Sequence, residues 1–194
     1  MSSKNIKFII LTGFYKYDTI NTIIIEKRAL IMEYFIREMK PEEYYLLNDF
    51  LYEAIFIPEG EEIPPKDIIK KPELQVYVSD FGKKHDFALL AEVNQKVVGA
   101  IWCRIMNDYG HIDDNTPSLA VAVLKKYRKL GIGTELMHQM LLLLKKNGYQ
   151  KVSLSVQKAN YAVNLYLKSG FTIIHENADE YIMLCDVTEK SELC

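Results

Sequence analysis

The chain has 194 residues, 49% of them apolar and 26% charged, and a formal net charge of −2. That length suits one ordinary globular domain with a sizeable core and is cramped for two. The near-neutral charge removes the global basic field that draws a protein to nucleic acid or anionic membrane, and no apolar run approaches the roughly 20 residues of a membrane span.

Residues 1–31 stand apart. They carry two short apolar runs, Phe8-Ile9-Ile10-Leu11 and Ile23-Ile24-Ile25, without helical periodicity. The first run is too short for a secretory signal core and no small-residue cleavage site follows it. Residues 1–31 read as an extension, either an artefact of start-site choice or an added hairpin packed on the domain or a partner. The domain itself is placed at 32–194. Cys103, Cys185 and Cys194 are an odd number without disulfide-like spacing, which fits free thiols and a cytoplasmic location.

Glu33-Tyr34-Phe35-Ile36-Arg37 alternates as a first strand. Pro41 opens a helix whose Leu46, Leu47, Phe50, Leu51 and Ala54 share a face. Pro58, Gly60, Pro64 and Pro65 break it into a loop, and a short helix is expected over residues 66–70, ending before Pro72. Residues 87–93 and 97–106 are apolar runs joined by Asn94-Gln95-Lys96, a hairpin signal. A polar loop over 107–117 leads to a buried run, Leu119-Ala120-Val121-Ala122-Val123-Leu124. Leu136, Met140 and Leu144 mark a helix over 134–146, with Lys145 and Lys146 at its negative end and Gly148 as its left-handed cap. A strand over 152–156, a short helix over 160–168 stopped by Gly170, and strands over 171–174 and 181–187 complete the chain. The order predicts a single-domain α/β protein, a mixed sheet with helices on both faces.

The chemistry concentrates in Leu124-Lys125-Lys126-Tyr127-Arg128-Lys129-Leu130-Gly131-Ile132-Gly133-Thr134. A buried strand runs into a basic, glycine-containing turn, and an amphipathic helix follows at once. Glycines let the backbone approach an anion, and the helix N-terminus adds unsatisfied N–H groups and partial positive charge. These are the parts of a pyrophosphate cradle. The turn is not a P-loop, because Gly133 is followed by Thr134-Glu135, nor a dinucleotide fingerprint, which needs Gly or Ala where Leu136 stands. A glycine turn that merely starts a helix is the plainer alternative.

Here the sequence resembles the GNAT superfamily of N-acetyltransferases. Arg128-Lys129-Leu130-Gly131-Ile132-Gly133 matches the R/Q-x-x-G-x-G/A signature, and Asn160-Tyr161-Ala162-Val163-Asn164-Leu165-Tyr166-Leu167-Lys168-Ser169-Gly170-Phe171 is similar to the N-x-A-x-x-L-Y-x-x-x-G-F pattern that follows it. The resemblance is sharp over residues 117–171, looser over 34–187, and does not reach residues 1–31. It implies a GNAT-like fold and an acyltransferase using acetyl-CoA as cosubstrate. By resemblance, the backbone of Val121, Ala122 and Val123 holds the pantetheine arm where that strand splays from its neighbour. N–H groups of Lys129, Leu130, Gly131, Ile132, Gly133 and Thr134 bind pyrophosphate with Arg128 beside them, Asn160 contacts the arm, and Tyr166 is the general acid. A phenol of ordinary pKa near ~10 can share its proton with a departing thiolate whose thiol lies near ~8.5. The oxyanion falls to the Val121 or Val123 N–H. Asn160 is equally a good helix N-cap, and Tyr166 equally an amphipathic core tyrosine.

The acceptor side offers several candidates and no winner. Glu59 lies in the acidic loop after the first helix, Glu92 on an earlier strand, and His111 and Asp113 beside Asp114 in the loop before the buried run. The last group is also plain turn chemistry, and no second histidine cluster supports a metal. The partner expected is a small-molecule or peptide amine, with no membrane. The charge balance counts against nucleic acid, including a toxin-like action on aminoacyl-tRNA, although the patch from Lys125 to Lys129 leaves that open. A homodimer through the last strands is compatible with the sequence. A CoA-binding sensor or scaffold without catalysis is the alternative function.

Overall fold

The computed structural model describes residues 6–9 and 32–188. Strands form where the sequence alternates or runs apolar: β1 (Ile6–Ile9), β2 (Met32–Glu38), β3 (Phe87–Val93), β4 (Lys96–Arg104), β5 (Ser118–Val123), β6 (Lys151–Gln157), β7 (Thr172–Glu176) and β8 (Glu180–Asp186). They make one sheet in the order β1-β2-β3-β4-β5-β6-β8-β7. Every neighbouring pair is antiparallel except β5 with β6. Asn94 and Gln95 turn β3 into β4 with φ of 48° and 63°, the left-handed pair a two-residue hairpin requires. Of residues 1–31 only β1 is described, paired along β2. The rest of that segment, and Cys194, lie outside the described residues.

The helices are α1 (Leu46–Ala54), α2 (Pro72–Gln75), α3 (Ile132–Lys146) and α4 (Val163–Lys168). α3 buries Leu136, Met137, Met140 and Leu144 against Ile101, Cys103, Val152 and Leu154 on one face of the sheet. α1 covers the other face, burying Leu47, Phe50 and Leu51 with Leu90, Ala100, Trp102 and Ala122. β4 is therefore buried on both faces, which is why it reads as a continuous apolar run rather than an alternating one.

Boundaries depart from the expectations where side chains bind backbone. The helix expected from Pro41 splits into a 3-10 turn, Pro41–Glu43, and then α1, because Glu43 reaches back to the Lys40 N–H at 2.9 Å and to Arg37. Residues 66–70 form a 3-10 turn, and Pro72 starts α2 instead of only ending what precedes it. α3 begins at Ile132, two residues early, because Gly131 takes the N-cap. α4 begins only at Val163, because the Asn160 side chain accepts the Ala162 N–H at 2.9 Å and holds a turn there. β4 stops at Arg104, whose guanidinium turns away to the carbonyls of Val76 and Ser79 and to Asp86 at 3.2 Å.

Arg37 ties β2 to its surroundings through Glu43, at 2.6 Å to both carboxylate oxygens, and through Glu92. Hydrogen bonding from that guanidinium, helped by the Lys40 N–H, holds the Glu43 carboxyl down at about 2 from its ordinary 4.5. A carboxyl depressed on folding adds stability above its unfolded pKa and loses it as pH falls toward the folded value. With partial solvent screening, Glu43→Gln is expected to lower unfolding free energy by about 1–2 kcal/mol at pH 7. Urea titrations should show the gap between the two proteins shrinking below about pH 4.5 and closing near pH 2.

Candidate functional site

β5 and β6 meet at one register point, Ser118 opposite Ser153, and then part. The bond at the vertex runs from the Ser153 N–H to the Pro117 carbonyl, 3.0 Å. On β5, the Leu124 N–H points to β4, where Val98 O accepts it at 2.9 Å. Strand alternation then turns Ala122 and Ala120 to β4 as well, and turns the backbone groups of Val121 and Val123 into the opening between β5 and β6. A forked sheet with backbone donors and acceptors facing the gap is a place where an extended chain can add as a strand.

The tip of β5 feeds the basic turn. Lys129 and Gly131 both have positive φ, 61° and 79°. Gly131 is the N-cap of α3, and no side chain caps the helix. The first helical bond is from the Glu135 N–H to Gly131 O, 3.0 Å, so the N–H groups of Ile132, Gly133 and Thr134 have no acceptor within the helix. A Cβ built on Gly131 meets nothing within 4 Å, so the backbone here opens onto free space. Arg128 does not simply flank this turn. Its Nε donates to Val123 O at 2.7 Å and its Nη2 reaches the Glu53 carboxylate at 3.2 Å, which fixes the turn to the strand tip and to α1.

Fork and helix terminus share one cavity of about 430 Å³. Of the residues singled out from sequence, Val121, Ala122, Val123, Arg128, Lys129, Gly131, Gly133, Thr134 and Asn160 line it. Leu130 and Ile132 do not. The cavity also takes Glu53, Ala54, Ile55 and Phe56 from the end of α1, and Tyr161, Ala162, Asn164, Leu165 and Lys168 from α4 and its approach. These were missed, since nothing local in the sequence marks the last turn of α1 as facing the β5 tip. Lys168 could have been found, because it shares the helical side of Asn164 and Leu165.

Asn160 holds its own turn and still presents itself on the cavity wall. Tyr166 lies behind the wall, 8% exposed, its ring 5.9 Å from Phe171 in edge contact. Burial, followed by the nearby Tyr161, pushes its phenol well above the usual tyrosine range. The acceptor-side candidates are not brought together. Glu92 is bound by Arg37, and Glu59 is exposed on its loop. His111 places Nδ1 3.0 Å from Met106 O, and Asp113 caps an exposed turn by accepting the Asn115 N–H.

What closes the vertex of the fork is Gly110. A Cβ there would stand 2.9 Å from Leu154 C, 3.0 Å from Ser155 N and 2.8 Å from Ser118 Oγ. The first two are backbone atoms of β6 and cannot step aside. Gly110→Ala is expected to cost about 2 kcal/mol and to lower the melting temperature by about 4–8 °C in calorimetric scans.

A family model described as the acetyltransferase (GNAT) family matches residues 36–171. The chain is 34% identical over 98 residues to N-alpha-acetyltransferase 50 of Danio rerio, covering 50% of this chain and 57% of that protein. It is 37% identical over 91 residues to an N-alpha-acetyltransferase of Sulfurisphaera tokodaii, covering 42% and 54%. The chain thus spans about half the length of the curated relatives it matches. Among solved structures, PaiA N-acetyltransferase from Thermoplasma acidophilum in complex with coenzyme A superposes with a TM-score of 0.57 at 21% identity, covering 80% of this chain and 99% of that one. The ribosomal-protein-S18-alanine N-acetyltransferase of Escherichia coli gives 0.56 at 16% identity, covering 82% and 97%. At those identities the likeness is one of fold.

Proposed function

The chain belongs to the acetyltransferase (GNAT) family, and from that premise we propose that it transfers an acetyl group from acetyl-CoA to a primary amine. The observation that carries the reading is the single cavity in which a forked strand and an uncapped helix N-terminus meet. The two ends of that cavity suit the two ends of one elongated anionic ligand. Open N–H groups at Gly133 and Thr134, with Lys129 and Lys168 nearby, suit a pyrophosphate. The backbone of Val121 and Val123 suits an amide-bearing arm laid in as a strand. The residues present therefore fit coenzyme A.

When bound, acetyl-CoA supplies an acetyl thioester. Val121 or Val123 donates its N–H to the carbonyl oxygen as negative charge gathers there. Asn160 would steady the arm; as the amine nitrogen bonds to the acetyl carbon and the carbon–sulfur bond breaks, Tyr166 would supply the proton taken up by the sulfur and regain, by way of solvent, the one that nitrogen loses. Arg128, held by Val123 O and Glu53, keeps the strand tip and the phosphate turn in register with each other.

Two relatives are named for α-amines, which makes peptides with a free N-terminus the first acceptors to try. Calorimetric titration with acetyl-CoA is expected to show one-to-one binding, and thiol release is expected with at least one amine from a panel of such peptides, lysine-containing peptides and polyamines. No binding by folded protein would overturn the reading. Binding without turnover across the panel would replace it with a CoA-binding module.

A further inference from the structure

The sheet changes character at the vertex of the fork. On the α3 face, Leu119, Val152, Leu154 and Val156 are buried among apolar neighbours. On the α1 face, the same two strands present Ser118, Ser153 and Ser155 instead. Asp108, from the loop between β4 and β5, meets the first of these serines. Its Oδ2 accepts from Tyr77 Oη at 2.8 Å and from Ser118 Oγ at 2.7 Å. Ser155 Oγ donates to Glu180 Oε2 at 3.3 Å. Burial and then the charge and hydrogen bonding of Asp108 push the Tyr77 phenol far up, with Glu180 a smaller contributor.

Among the described residues, three side-chain atoms on this face are buried without a protein partner: the acceptor Asp108 Oδ1, the hydroxyl Ser153 Oγ and the donor Trp102 Nε1. Buried polar atoms are nearly always satisfied, and a carboxylate oxygen can be satisfied only by a donor. Among the described residues Asp108 has no ion-pair partner. Arg104, which stands opposite Ser118 in the sheet, is already engaged by Asp86 and two carbonyls. Among the described residues no cation reaches Asp108, and Asp108 Oδ1, Ser153 Oγ and the Glu180 carboxylate offer oxygen acceptors. A primary ammonium, with three donors and one charge, supplies what is missing. An anion or a neutral acceptor does not.

Its position fits as well. Two residues on from Asp108, Gly110 rests against Leu154 and Ser155 at the closed end of the fork. If the phosphate end of a ligand lies at Gly131, its far end runs along β5 toward this vertex. We infer that Asp108, set by Tyr77 and Ser118, is the anchor for the ammonium group of the acceptor, which gives one proton to solvent before its nitrogen attacks the thioester carbon. The inference rests on the acetyl-transfer reading and adds the acceptor pocket to it.

The test titrates three probes into protein saturated with CoA: phenethylamine, spermidine, and a tetrapeptide amide with a free α-amine, each beside its N-acetylated form. At least one amine is expected to saturate while its acetylated form does not. Asp108→Asn is expected to weaken that amine tenfold or more and to leave the acetyl-CoA Kd within twofold. In turnover the loss should fall on KM for the amine rather than on kcat. Tyr77→Phe removes one donor from Asp108 with little change of shape, and should weaken the amine threefold or more. If Asp108→Asn fails to fold, Tyr77→Phe decides on that criterion. Acetyl-CoA binding with no saturable amine, or with amine affinity unchanged in the folded variants, overturns the inference alone. Failure of acetyl-CoA itself to bind overturns the transfer reading and this inference with it.

Discussion

Gly131→Asp is expected to abolish measurable acetyl-CoA binding, a loss of more than about a hundredfold, or ~2.7 kcal/mol. Two effects combine at this position. The left-handed φ of 79° costs a residue with a Cβ about 1–2 kcal/mol. That strain lowers stability and does not by itself fill the place of a ligand. The new side chain decides the outcome, because the space beyond Gly131 is open and lies at the three unbonded N–H groups of α3. A carboxylate there caps the helix as an N-cap aspartate does and occupies the donors proposed for phosphate. Gly148→Asp is the control. Gly148 has the same left-handed conformation, φ 82°, with the same open surroundings, but stands beyond the opposite end of the 15-residue helix. It should melt lower by a similar amount and bind acetyl-CoA as the unaltered protein does. Equal loss in both variants would mean that the turn acts through stability, and would remove the cradle.

Much of this site is visible in the sequence because its signals are local. The glycine turn, the 3.6-residue spacing of Leu136, Met140 and Leu144, and the Asn94-Gln95 hairpin each depend on residues a few positions apart. So does the buried run from Leu119 to Leu124 that leads into the basic turn and the helix. What escaped is long-range. Glu53 and Phe56 reach the cavity because α1 crosses the β5 tip, a contact between residues some seventy positions apart. Asp108, Tyr77 and Ser118 converge from three separate segments, and singly each is an ordinary loop or strand residue. His111 and Asp113, two positions apart, read either as acceptor-side candidates or as turn residues. The fold uses them to build the turn, through Met106 O and the Asn115 N–H. Short spacing concentrates attention on neighbours, whereas the proposed acceptor pocket is assembled across the sheet.

Tyr166→Phe separates binding from chemistry. The ring is buried against Phe171, and phenylalanine keeps its shape, so fold and acetyl-CoA affinity are expected to hold. If the hydroxyl supplies the proton that the sulfur takes up, kcat should fall by about 10²–10³ with KM for both substrates little changed. The raised pKa of Tyr166 sharpens the expectation. A phenol pushed above its ordinary range stays protonated through neutral and alkaline pH, so its loss as a donor cannot produce a falling limb in the kcat profile below about pH 10. The rate of the unaltered protein should therefore rise with pH as the acceptor ammonium loses its proton, and then level off. The variant should follow the same curve at a lower plateau. A variant with unchanged kcat would return Tyr166 to the core, where its contact with Phe171 alone accounts for it. A variant whose curve shifts along the pH axis would show that the hydroxyl governs ionisation of the amine instead of protonation of the sulfur.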